Sequence, residues 1–249
     1  ILRGFKPSEM SEVGRVSLTG KMPFLSTYKD TTAPTANLLY YRIALIDSCG
    51  GGDSSKIETH LLLLAKQELF FENKLNWIFQ SLDHSNVSKY VIYRKIDTTF
   101  VKLLETNSIT DLYRDNIESL INEKGQFCYK VEVYYTVDTP GLFTTDYISR
   151  SNEVCITQRA LVHVPNAFRP GGVNVIFKPM VIFGDVKNFN MKIYNRWGAL
   201  IFETTDPNAG WNGTINGTPA PMEEYPYVIQ LNGLSGTPIE RKGTVLLMR

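Results

Sequence analysis

Short alternating runs of apolar and polar residues, broken by Gly, Pro, Asn, Asp and Thr about every 8–12 residues, constrain this chain most. A period of two puts every second side chain on one face of a strand. Helical periodicity is confined to Ile117–Glu123, enough for a turn or two. The expected fold class is therefore all-β, and 249 residues is a length for two or three small sandwiches. Tyr and Phe, 13 of each, fall mostly inside the alternating runs, as pleated half-buried surfaces favour. A net charge of +1 gives no electrostatic reason to expect nucleic acid as a partner. No apolar run reaches the roughly 18 residues that a membrane-spanning helix needs.

The middle of the chain shows the pattern most clearly. Leu75-Asn76-Trp77-Ile78-Phe79 turns a Trp inward on an early strand. Tyr90–Lys95, Phe100–Leu104, Thr110–Arg114, Phe127–Val133 and Ser151–Ile156 supply further strands. Leu-x-Trp, Tyr-x-x-Tyr and Tyr-x-Val-x-Val in that order resemble a fibronectin type III domain over 67–158. Residues 1–66 repeat part of it: Ile1-Leu2-Arg3 matches Ile92-Tyr93-Arg94, Tyr28-Lys29-Asp30 matches Tyr113-Arg114-Asp115, and Tyr41-Arg42-Ile43 matches Tyr129-Lys130-Val131. The offset stays near about 90 residues, an internal repeat with small insertions. The first copy begins where the second has already laid down two strands. Residues 1–66 are thus expected to be the C-terminal part of a like domain whose first strands lie upstream of Ile1.

Three cysteines, Cys49, Cys128 and Cys155, form no CxxC pair, and the three histidines lie near none of them, so no metal is expected. The midpoint between Cys128 and Cys155 falls on Pro140-Gly141-Leu142, a turn signal. A hairpin centred there would bring the two together for a disulfide; two buried thiols is the alternative. Cys49 sits in a Gly-rich hairpin loop and is left over.

No catalytic constellation emerges. Asp83-His84-Ser85 reads as a solvated turn, Gly50-Gly51-Gly52 lacks a following helix or P-loop lysine, and Asp111, Asp115 and Glu118 read as wet surface. The expectation is no enzyme activity and no cofactor. Asn86-Val87-Ser88, Asn212-Gly213-Thr214 and Asn216-Gly217-Thr218 match the N-glycosylation sequon, the last two reading better as turns.

Past residue 160 the texture changes. Strands are expected at Val162–Val164, Val175–Phe177, Phe189–Asn195, Leu200–Glu203, Tyr225–Leu231 and Gly243–Met248. Pro165-Asn166-Ala167-Phe168, Ile193-Tyr194-Asn195-Arg196-Trp197-Gly198, Gly210-Trp211-Asn212-Gly213 and Lys242-Gly243-Thr244-Val245-Leu246-Leu247-Met248-Arg249 together resemble the gliding motility-associated C-terminal domain. That family is the type B sorting domain of the Bacteroidetes type 9 secretion system, and the resemblance covers 159–249. It implies a C-terminal Ig-like β-sandwich sorting domain after tandem fibronectin-like sandwiches. It further implies an exported cell-surface or outer-membrane protein whose last domain is recognised by the translocon and a PorV-type barrel shuttle. Asn195, Arg196, Trp197 and Gly198, with Lys242 through Arg249, are the expected sorting signal. Trp197-Gly198 is expected as a tight turn with Trp197 half-buried; a stacked core pair of Arg196 and Trp197 is the competing reading. The terminal strand is expected as a free edge able to add to a partner.

The chain departs from the family at Gly171-Gly172-Val173, a shortened loop without acidic residues, which points to a domain retained as a stable subunit. Asp30-Thr31-Thr32 and Asp97-Thr98-Thr99 resemble Bacteroidetes O-glycosylation acceptors, making Thr31 and Thr98 candidates. A surface adhesin is a further expected partner. Two other readings stand beside this one: the tail of a large secreted hydrolase or adhesin whose working domain lies upstream, and a carbohydrate-binding module, which the core-like alternation of the aromatics disfavours.

Overall fold

The computed structural model describes residues 1–17, 27–47, 49–80, 85–107, 110–139, 143–183, 187–234 and 236–249. The chain divides into two compact units, one of 1–115 with 128–155 and the other of 116–127 with 156–249. Both are built from strands, and no helix among the described residues is long and apolar enough to cross a membrane.

In the first unit, β1 (Leu2–Lys6), β2 (Glu9–Glu12), β3 (Tyr40–Arg42) and β4 (Glu58–Thr59) form a sheet in the order β2-β1-β3-β4. The second module follows with β5 (Leu62–Leu69), β6 (Glu72–Ile78), β7 (Ser85–Ile96), β8 (Thr99–Thr106), β9 (Leu112–Asn116), β10 (Gln126–Thr139), β11 (Phe143–Arg150) and β12 (Val154–Thr157). Strands β5, β6 and β9 make one sheet; β11-β10-β7-β8 make the other, with β12 also on β10. Its first strand starts at Leu62, ahead of the boundary expected at 67. The run Leu61-Leu62-Leu63 is buried at consecutive positions, so it does not alternate as a half-buried strand would.

Alternation becomes burial as the period of two requires. Leu75 and Trp77 on β6, and Tyr129, Val131 and Val133 on β10, all turn into the core. Burying side chains of this size contributes about 1.5–3 kcal/mol each. A polar network runs through the same core. Arg94 Nη1 donates to both Asp115 oxygens at 2.9 and 2.7 Å, Tyr129 Oη donates to Asp115 Oδ2 at 2.8 Å, and Asn73 Nδ2 donates to Tyr129 Oη at 2.8 Å. Burial, followed by the Asp115 charge, pushes the Tyr129 hydroxyl well above its ordinary range.

The first module carries the same triad at the matched positions. Arg3 Nη1 donates to Asp30 Oδ2 at 2.7 Å, and Tyr41 Oη donates to the same oxygen at 3.1 Å. Burial and then the bond to Asp30 push the Tyr41 hydroxyl up to about 12. Burial alone would raise the Asp30 carboxyl, but the bonds from Arg3, Thr32 and Tyr41 outweigh it and hold it below the usual range. The repeat is therefore one of interactions as well as letters. The copies differ in cover. Ile43 and Leu45, counterparts of the fully buried Val131 and Val133, are more than half exposed, and no described strand lies over them as β5 and β6 lie over the second copy.

Cys128 on β10 and Cys155 on β12 form a disulfide, S–S 2.04 Å. The turn at Pro140-Gly141-Leu142 lies outside the described residues, yet β10 and β11 pair across it from Thr139↔Phe143 to Glu132↔Arg150. Continued unchanged, that register would set Cys128 opposite Val154. The break between β11 and β12 shifts it by one and brings Cys155 instead. Cys49 is free and exposed in a loop where Asp47 Oδ1 accepts from the Cys49 and Gly51 amides at 2.9 and 2.8 Å.

The second unit holds β13 (Leu161–His163), β14 (Ala167–Phe168), β15 (Met180–Ile182), β16 (Lys187–Tyr194), β17 (Leu200–Thr204), β18 (Thr214–Ile215), β19 (Thr218–Pro219), β20 (Glu224–Asn232) and β21 (Pro238–Leu247). Five of them form the main sheet in the order β14-β21-β20-β16-β17, with β14 parallel to β21; β13–β15 and β18–β19 are two-stranded pairs. The strand expected at Val175–Phe177 is a single bridge, Phe177 to Trp211, with both amides donating at 2.9 Å. The last strand starts at Pro238, five residues before the expected Gly243, because its polar first half pairs with β20 along its whole length. Phe168, Phe177, Trp211, Tyr225, Val245 and Leu247 sit at the centre of the core.

This unit starts earlier than the expected 159 and takes in 116–127. Phe183 is buried there, its amide donating to Ile121 O at 3.2 Å and its ring edge-on to Phe127 at 5.8 Å. Gln158 N donates to Gly125 O at 2.7 Å. Gly125 has φ 82, and a Cβ on it would lie 2.7 Å from Phe183 Cβ, so only glycine fits.

Candidate recognition site

Three segments meet at one end of the five-stranded sheet: the β16–β17 loop, the approach to β20, and the end of the chain. The loop is a compact Asx turn. Asn195 Oδ1 accepts from the Trp197 and Ala199 amides, both at 2.9 Å, and Gly198 N donates to Asn195 O at 3.0 Å. Gly198 has φ 80 with open space where a Cβ would stand, so backbone conformation alone demands glycine.

This turn carries Trp197 past the end of the sheet, where it is 83% exposed. The half-buried Trp197 expected from the sequence is corrected, as is the core-pair reading. The Arg196 guanidinium does lie over the Trp197 ring, 5.7 Å from its centroid, but both side chains face solvent. Such exposed cation–π contacts contribute about 0.5–1 kcal/mol. Arg196 Nη2 also pairs with Glu223 at 2.8 Å.

The chain end is not the free edge expected. Leu246 N donates to Asn166 O and Met248 N to Phe168 O, both at 2.9 Å, on the β14 side. Leu247 N donates to Glu223 O at 3.1 Å on the other. Antiparallel strands turn alternate residues towards the partner, so the edge left open on β21 offers the main-chain groups of Glu240, Lys242 and Thr244.

The Lys242–Arg249 stretch thus separates into two sets. Val245 and Leu247 are core, and Gly243 lies beneath the Tyr227 ring, where a Cβ would meet the hydroxyl at 2.7 Å. Arg249 donates to the carbonyl of Ala220. Lys242, Thr244, Leu246 and Met248 face outward, Lys242 pairing with Glu240 at 2.7 Å.

Segment 220–224 is the hub that the sequence did not disclose. Ala220 holds Arg249, Glu223 holds Arg196 and Leu247, and Tyr225 Oη donates to Pro221 O at 2.8 Å. Burial, then Glu223's charge and hydrogen bond, push the Tyr225 hydroxyl above its ordinary value; Arg249 and Arg196 oppose this. The register Glu224↔Leu246 is the signal that could have revealed it, because whatever precedes β20 must flank the end of β21. The outcome is an exposed apolar and cationic end, with Trp197, Met222 and Met248 in solvent beside the Arg196–Glu223 pair.

The other candidate positions lie elsewhere. Thr98 is exposed in the β7–β8 turn beside Asp97, whose φ is 53. Thr31 is exposed beside Asp30, whose Oδ1 accepts from Thr32 N at 3.0 Å. Asp83 and His84 lie outside the described residues. Among those described, Cys128, Glu153 and Cys155 are the grouping close enough to hold a metal, and the disulfide occupies both sulfurs.

Residues 162–247 match the family described as the CHU_C Type IX secretion signal domain. The resemblance read from the sequence is thereby borne out over 162–247, and a type IX secretion signal in that domain supports involvement in type IX sorting and implies export to the cell surface. No curated protein matches. A crystal structure of the FN1–FN3 domains of chicken CNTN1 aligns at TM-score 0.33 and 14% identity, over 76% of this chain and 65% of that one. The all-β character rests on the chain's own sheets, not on that likeness.

Proposed function

We propose that this is a non-enzymatic surface protein of the type 9 secretion and gliding motility system. Its C-terminal domain is recognised by the translocon and a PorV-type outer-membrane barrel shuttle, through Trp197, Arg196 and the outward residues of the chain end. The observation that carries this reading is the meeting of two motifs, about 50 residues apart in sequence, on the 220–224 hub within a domain of type IX signal character. In the sharper form the domain stays bound as a stable subunit. The acid-free loop at Gly171-Gly172 supports retention: Arg169 N donates to Asn174 O at 2.8 Å and closes it tightly. The fibronectin-like modules then serve as spacers or adhesive arms, with a surface adhesin as a further partner.

Co-purification tests this. The full chain, tagged and extracted from outer membranes of a type 9-competent cell in mild detergent, is expected to bring down an outer-membrane barrel in near-equal amount. Recovery of the chain alone, from membranes in which the barrel is abundant, contradicts retention.

A further inference from the structure

Two thioethers stand on the recognition surface. Met222 is 65% exposed and Met248 42% exposed. The other methionines are placed differently. Met191 is buried in the core and Met10 is partly covered on β2; Met180 is exposed on β15, within the separate β13–β15 pair; Met22 lies outside the described residues. Oxidation of a thioether needs access to its sulfur, so Met222, Met248 and Met180 are open to a dissolved oxidant and Met191 is closed.

Leu247 N donates to Glu223 O at 3.1 Å, and the register Glu224↔Leu246 runs into this bond. Met222 and Met248 each stand one residue beyond it. Tyr225, Val245 and Leu247 turn into the core, which leaves the alternate positions facing solvent. The backbone beneath both sulfurs is fixed. Met248 N donates to Phe168 O at 2.9 Å, Arg249 donates to the carbonyl of Ala220, and Tyr225 Oη donates to Pro221 O at 2.8 Å. Flexible, polarizable thioethers on a fixed frame adapt their shape to a docked surface. A sulfoxide in the same place carries a polar oxygen that docking would strip of water.

We propose that Met222 and Met248 form an oxidation switch on this surface; the switch rests on the reading of that surface as the grip for an outer-membrane partner. Hydrogen peroxide is the oxidant. The sulfur lone pair attacks one peroxide oxygen, an S–O bond forms as the O–O bond breaks, and after proton transfer the other oxygen leaves as water. The sulfur gives up two electrons and the peroxide takes them. The domain keeps its fold, because the core Met191 stays closed, and loses its grip. Methionine sulfoxide reductases reverse the step, with a dithiol as reductant.

The test treats the purified full chain with dilute hydrogen peroxide, maps sulfoxides by peptide mass, and measures co-sedimentation with outer membranes from type 9-competent cells that lack the chain. Met222 and Met248 are expected to convert while Met191 does not, with an unaltered unfolding midpoint. Membrane affinity is expected to fall about tenfold or more, the burial of one thioether expressed as binding. Reductase with dithiothreitol should restore it and dithiothreitol alone should not, which separates the thioethers from any change at Cys49 or Trp197. The affinity of Met222→Leu with Met248→Leu, measured before and after peroxide, should not change, whereas Met180→Leu should stay sensitive. Undiminished binding with both sulfurs oxidised overturns the switch, and so does a peroxide-induced loss in the double leucine variant. An untreated chain that fails to sediment with the membranes overturns the recognition reading as well.

Discussion

Asp115→Ala is expected to destabilise the second module by about 3–5 kcal/mol, the cost of removing one partner from a buried ion pair. The loss has two parts. Arg94, its side chain 13% exposed, is left with an uncompensated charge, and Tyr129 loses the acceptor of its buried hydroxyl. In a domain of this size the melting temperature should fall by more than about 10 °C. Most of it should return when the whole network is replaced, Arg94→Met and Asp115→Leu with Tyr129→Phe, because a buried ion pair and an apolar substitute are often nearly equivalent and no hydroxyl is then left without its acceptor. The matched change in the first copy, Asp30→Ala, should cost clearly less. Arg3 there is 19% exposed and Tyr41 only partly covered, so water takes over part of what Asp30 supplied. Equal losses at Asp115 and Asp30 would contradict this account of the repeat.

Trp211→Ala should be comparably damaging in the C-terminal unit, about 3–5 kcal/mol for deleting a buried Trp from a close-packed core. Its ring stands 4.7 Å from Tyr225 and 5.3 Å from Phe168, and its Nε1 donates to Thr214 O at 2.8 Å. These neighbours matter beyond stability. Tyr225 opens β20 just past the hub, and Phe168 lies on the strand that receives the chain end. Loosening them should disorder the recognition surface, so urea unfolding of this unit and surface display should fail together. A variant that unfolds early yet is exported normally would show that the sorting signal does not need the folded domain.

The sheets were legible because half-buried strands alternate. Leu75 with Trp77, and Tyr129 with Val131 and Val133, point inward by the arithmetic of period two. The repeat was legible because the matched letters, Arg, Asp and Tyr, are those that bond to one another in both copies. What escaped depends on long-range placement. That 116–127 packs with Phe183 is set by partners some sixty residues away. The chain end looked like a free edge because nothing local shows that β14, two residues long, pairs with it in parallel. Trp197 looked half-buried because a Trp beside a strand usually is; the Asx turn at Asn195 lifts it clear. Glu223 drew no notice in the sequence because its importance arises only when Arg196 and Leu247 arrive beside it.

Trp197→Ala gives the most direct test that the exposed end of the C-terminal domain is the address and not part of its scaffold. The side chain is 83% exposed and its one ring contact is the Arg196 guanidinium, so its loss should change stability by no more than about 1 kcal/mol. As an exposed Trp anchor it should weaken partner binding by about 2 kcal/mol or more, roughly thirtyfold. The measurement pairs the unfolding midpoint of the full chain with its accessibility to added protease on intact type 9-competent cells. An unchanged midpoint with strongly reduced surface protein is the predicted result; an unchanged midpoint with surface protein at the level of the unaltered chain would contradict the account.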